Sequence, residues 1–180
     1  FTPEVFAEFG IFTAVVFILI EIINAKLDIA LMLGKDDDEV KRILNAAFTI
    51  ACIASVLLFT FQAVFLFFIP QVYLLIMPAV FLYGIQQPIL VYWNKLEKYS
   101  SINSFRAIQV ISTGSCTIAL GIIHFRHAPI LGFVFGLCIS TIYLLIITRP
   151  KFSWETLKQT LQQYDQFPKY GTWSALLNNF

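Results

Sequence analysis

The chain has 180 residues, 58% hydrophobic and 13% charged, with a formal net charge of +1 and a mean hydropathy of +0.78. About a quarter of the residues of an average soluble domain are charged, so this composition reads as an integral membrane protein; without a basic patch on a soluble domain, nucleic acid is excluded as a partner. The three cysteines, Cys52, Cys116 and Cys138, lie inside apolar runs, where a thiol behaves as a small core residue and no disulfide is expected.

Thr2-Pro3-Glu4 opens a helix well: Thr accepts from free N–H groups, Pro suits the first helical position and Glu suits the positive dipole end. A first transmembrane span is predicted over 6–33, uncharged from Phe9 to Ile20 and then bearing Glu21, Asn24, Lys26 and Asp28. Glu21, Asn24 and Asp28 share one helical face, whereas Lys26 points elsewhere and snorkels. An ionised carboxylate near mid-membrane, as at Glu21, costs about 3 kcal/mol or more. It is either kept protonated and hydrogen-bonded or used as a proton or sodium site. Gly34 ends the span, and Lys35-Asp36-Asp37-Asp38-Glu39 reads as a solvated N-cap, because the alternating ligands and central glycine of a calcium loop are missing.

The second span, predicted over 43–68, carries a stripe of Asn45, Thr49, Cys52 and Ser55 that reads as helix packing. The third, over 72–93, must return antiparallel. Pro78 and Pro88 interrupt its hydrogen-bond ladder around Gly84, Gln86 and Gln87, which predicts a kink that either lines a cavity or packs on neighbours. Tyr92 and Trp93 fall where an interfacial aromatic belt belongs. The fourth span, over 104–123, has no charge after Arg106, yet Arg106, Gln109, Thr113, Cys116 and Thr117 recur at helical spacing and predict an inward polar stripe. For Thr113 and Thr117, interhelical packing is the simpler role. His124 and His127 form the next turn but lack further metal ligands nearby. The fifth span, over 128–148, has a small-residue seam of Gly132, Gly136 and Ser140 that admits a close neighbour.

Residues 149–170 read as a polar connection with a short amphipathic helix, capped by Ser153. Trp154, Leu157, Leu161 and Tyr164 form its apolar face and Glu155, Lys158 and Gln162 its polar face, a pattern expected to lie on the membrane surface. A further apolar run, 171–180, reads as the start of another span; with Phe1 rather than Met at the front, the sequence is expected to be a piece of a longer protein. Lys35, Lys41, Arg42, Lys95, Lys98, Arg106, Arg149, Lys151, Lys158 and Lys169 all fall on one side of the predicted topology and only Arg126 on the other, which makes the first side cytoplasmic.

In order and spacing, several stretches resemble the bacterial lipid-linked oligosaccharide flippases of the polysaccharide exporter type, relatives of multidrug exporters and lipid II flippases. Thr2-Pro3-Glu4 with Phe9-Gly10 resembles the start of that family's second helix. Lys26-Leu27-Asp28-Ile29-Ala30 and Gly34-Lys35-Asp36-Asp37 resemble its basic-x-acidic-x-Ala stretch and acidic turn, with Lys26 where Arg is commoner and Gly34 where Pro is commoner. Phe167-Pro168-Lys169-Tyr170 with Ser174-Ala175-Leu176-Leu177-Asn178 resembles the approach to its seventh helix.

The resemblance implies an all-α, two-lobe exporter fold of which this chain holds most of one six-helix lobe. It implies transport of polyprenyl-diphosphate-linked oligosaccharide from the cytoplasmic to the periplasmic leaflet of the bacterial inner membrane, by alternating access and with proton or sodium coupling. Such a protein would serve polysaccharide or lipopolysaccharide assembly in the cell envelope, with the lipid-linked sugar and the bilayer as partners, no cofactor and no catalytic residue. Its pathway candidates are Glu21, Asn24, Lys26, Asp28, Arg106, Gln109 and Thr113. The alternatives are a multidrug-type exporter of the same fold and a membrane-embedded glycan ligase or acyltransferase. Against the enzyme, the sequence offers neither a nucleophile with a nearby base nor a metal-ligand cluster.

Overall fold

The computed structural model describes residues 2–23, 27–64, 71–164 and 166. Every element among them is helical: α1 (Pro3–Ile23), α2 (Leu27–Leu33), α3 (Asp37–Val64), a 3₁₀ turn (Gln71–Leu75), α4 (Ile76–Lys95), α5 (Tyr99–Ile122), α6 (Ala128–Thr148) and α7 (Trp154–Gln163). Five of the helices are long and apolar enough to cross a membrane, as a multi-pass membrane protein requires. In the stretch predicted as one first span the described residues are helical as α1 and α2, and residues 24–26 lie outside the described part.

Helix α4 is the centre of the bundle, packing on α1, α2, α3 and α6, while α5 lies mainly against α6. Two apolar clusters fill the interior. One joins Phe12, Val16 and Ile20 of α1 with Ala51, Val80 and Leu137. The other, at the end of the bundle where α2 stops and α3 starts, joins Leu31, Val40, Leu44, Ile89, Trp93, Phe105 and Leu144. Trp93 is therefore no interfacial anchor: it is 1% exposed and stands edge-on to Tyr143 at 6.3 Å. Its neighbour Tyr92 is half-buried.

Pro78 does not break the α4 ladder, because it lies in the first turn, where the N–H groups are unsatisfied anyway. Pro88 alone is interior, and the helix continues through it. The close of α4 and α5 was not predictable from glycine, since Glu97 and His124 take the left-handed conformation at φ 57°. Each is followed by the paired bonds of a Schellman ending: Lys98 N–H to Trp93 O with Glu97 N–H to Asn94 O, and Phe125 N–H to Leu120 O with His124 N–H to Gly121 O.

The α5–α6 pair is the closest contact in the molecule. A methyl group added at Gly136 would overlap the Thr113 hydroxyl and approach the Gln109 carbonyl, and one at Gly132 would overlap the Thr117 hydroxyl. Thr113 and Thr117 of the α5 stripe, with the Gln109 backbone, thus meet the small-residue seam of α6.

The tail corrects one expectation. Asn45 and Thr49 do not merely pack: the Lys151 N–H donates to Asn45 Oδ1 at 2.8 Å and the Ser153 N–H to Thr49 Oγ1 at 3.1 Å. The amphipathic helix α7 is docked along α3, with Leu157 and Thr160 buried and Trp154 turned out. Trp154 and Leu161 line an outer groove together with Leu157, Lys158 and Gln162.

Candidate functional site

Polar side chains in an apolar bundle are costly unless they are paired, so the site is built from those the fold gathers. At the middle of α4, Gln86 and Gln87 face opposite neighbours. Gln86 is 1% exposed, and its Nε2 lies 2.8 Å from Thr141 Oγ1, 3.0 Å from Ser140 Oγ and 3.1 Å from the Leu137 carbonyl of α6. The two hydroxyls also donate back along α6, Ser140 to Gly136 O at 2.7 Å and Thr141 to Leu137 O at 2.7 Å. This arrangement lets an amide cross the apolar interior with its donors satisfied.

On the other side of α4, Gln87 Nε2 donates to Asp28 Oδ2 at 3.4 Å. Asp28 is 8% exposed and lies at the start of the described part of α2. The other end of α2 is held by Lys95 Nζ, which donates to the Met32 carbonyl at 2.7 Å. Together Asp28, Gln87, Gln86, Ser140 and Thr141 form a polar belt from α2 through α4 to α6.

Arg106 is not part of that belt. It is exposed on α5, and no ion pair joins it to Asp28 or to any other carboxylate among the described residues. It lies within electrostatic range of the Tyr83 phenol on α4, whose ring stands edge-on to Phe17 of α1 at 5.6 Å. Gln109 and Thr113 belong to the α5–α6 seam, Gln109 approaching Gly136 through its carbonyl and Thr113 through its hydroxyl. Glu21 is on α1, with its side chain outside the described part, as are Asn24 and Lys26 altogether.

At the end of the bundle away from α7, Glu8 binds Arg126 at 2.6 Å, with its other oxygen 3.3 Å from His127 Nδ1, so the α5–α6 turn is tied to α1. His124 is exposed in that turn, and no three potential ligands gather for a metal among the described residues. At the α7 end, Tyr164 donates to Glu39 Oε1 at 2.9 Å. Burial first, and the Glu39 bond second, push that phenol above its ordinary range, so it remains a donor at neutral pH.

The sequence reading missed Gln86, Ser140 and Thr141 as site residues. Their signal was present: two adjacent amides and a hydroxyl pair in the middle of otherwise apolar spans. Comparison with family models, curated proteins and solved structures finds no match.

Proposed function

We propose that this chain is part of a membrane transporter that moves a polyprenyl-diphosphate-linked oligosaccharide between leaflets by alternating access, coupled to an ion gradient. The observation that carries this reading is Arg106, an exposed cation on the polar stripe of an otherwise apolar helix, without a carboxylate partner among the described residues and within electrostatic range of Tyr83, whose ring stands edge-on to Phe17. A diphosphate matches the guanidinium fork, and sugar rings lie well against aromatic faces. The sequence resemblance supports the same substrate class and the inner-membrane location. A transporter for cationic drugs would place an acid rather than an arginine beside that aromatic pair.

The buried Asp28, one wall of the polar belt, is the coupling candidate in this reading, with Glu21 as a second carboxylate on α1. The test is flipping of a lipid-linked sugar by the full-length protein in proteoliposomes with an imposed ion gradient. Arg106→Gln is expected to reduce transport at least tenfold and Arg106→Lys to restore part of it, with insertion unchanged. Asp28→Asn and Glu21→Gln are each expected to remove the gradient dependence. Absence of flipping by the wild-type protein would overturn the substrate assignment, and undiminished transport in Arg106→Gln would overturn the role given to Arg106.

A further inference from the structure

Helix α7 is joined to α3 by a ladder of bonds. Lys151 and Ser153 reach Asn45 and Thr49 at one end. At the other, Gln163 Nε2 and Tyr164 OH each donate to Glu39 Oε1 at 2.9 Å, and Arg42 donates to Gln163 Oε1 at 3.2 Å. The spacing from Glu39 to Thr49 on α3 matches that from Tyr164 back to Ser153 on α7, so the helices run side by side and antiparallel. α4 packs on both α3 and α6, which barely touch each other directly. The segment that leaves α6 therefore straps its end to the start of α3, and Tyr164 packs against the apolar cluster that α2, α3 and α4 build at this end.

The seam is thin. Among apolar side chains α7 buries only Leu157 on α3, and most of the bonds at the Glu39 end are exposed. Two polar atoms are worse off docked than in water: Thr160 Oγ1, on a residue 1% exposed, and Arg42 Nε both lie buried without a hydrogen-bond partner among the described residues. Undocking hydrates both and recovers what their burial costs. The α4–α6 contact, where every amide donor meets an oxygen, has no such incentive to open.

We propose that α7 is a releasable latch over this end of the bundle, with Tyr164 as its plug, and that its release admits water to α2 and the buried Asp28. Hydrogen–deuterium exchange of the full chain in lipid nanodiscs tests this without any transport measurement, so the result stands apart from the assignment of substrate. In the wild type, α7 amides are expected to exchange at least about tenfold faster than those in the middle of α4. Glu39→Gln, which weakens three acceptor contacts while keeping the shape, should speed exchange in α7 and in α2 together. A disulfide between Arg42→Cys and Gln163→Cys should slow both, and reducing it should restore the rate. If α2 exchange is unmoved by both changes, or α7 is as protected as the centre of α4, the latch is refuted. Should the cross-link fail to form, Glu39→Gln decides alone.

Discussion

The two polar interfaces of this molecule, α4 on α6 and α3 on α7, obey different rules. In the first, Gln86, Ser140 and Thr141 lie at the middle of helices long enough to cross a membrane, and each polar group has a partner. In the second, at the end of the bundle, Thr160 Oγ1 and Arg42 Nε remain without one. Between α4 and α6 no water can repair an unmade bond and the fold makes it, although Ser55 Oγ of α3, also buried, has no partner among the described residues. Near the surface an open alternative is cheap, and imperfect pairing is tolerated.

The dry α5–α6 seam offers the harshest test. Gly136→Leu is expected to destabilise the protein by about 3 kcal/mol or more, because the side chain must displace Thr113 and the Gln109 backbone of a closely apposed helix. Thermal unfolding of the purified protein checks this, and an unchanged transition would mean that the seam is not as close as described. Gln86→Leu keeps the volume but removes the bridge to α6. A loss of about 1–2 kcal/mol in a detergent titration is expected, moderated because Ser140 and Thr141 retain their own carbonyl acceptors.

A smaller effect, of opposite sign, is expected for His124→Gly, which relieves a left-handed residue at the close of α5 and should stabilise by about 1 kcal/mol. Its thermal midpoint should rise, and no rise would show that the imidazole compensates for the strained backbone. Tyr164→Phe should be the mildest of the set. Loss of one bond to Glu39 at the edge of the structure is expected to cost less than about 1 kcal/mol, yet to speed exchange in α7, sharpening the contrast with Gln86.

Much of the helical layout was legible. The run of apolar windows located the long helices, Thr2-Pro3-Glu4 and Ser153 marked two starts, and the acidic run before α3 behaves as the reading of a helix start requires, with Glu39 Oε2 accepting from the Lys35 N–H at 2.8 Å. Gly132 and Gly136 were recognised as a packing seam, but the sequence left open which helix would fill it. Trp93 was misplaced because a tryptophan at a span end is compatible with both a lipid interface and a core. Only the approach of Tyr143 distinguishes them.

By itself the sequence determined what depends on local chemistry: the length of each apolar run, the capping residues, the face on which a side chain lies and the uneven distribution of lysine and arginine. These follow from helix period and transfer energy, which need no knowledge of neighbours. Tertiary structure alone decided the partners. It turned Gln86 toward α6 and Gln87 toward Asp28, two adjacent residues that helix geometry sends in different directions, and left Arg106 without an ion pair to a carboxylate among the described residues. It also brought Thr49 to Ser153 across more than a hundred residues of chain. Hydrogen bonds between helices depend on the rotation and depth of both, and neither quantity is written in either helix separately.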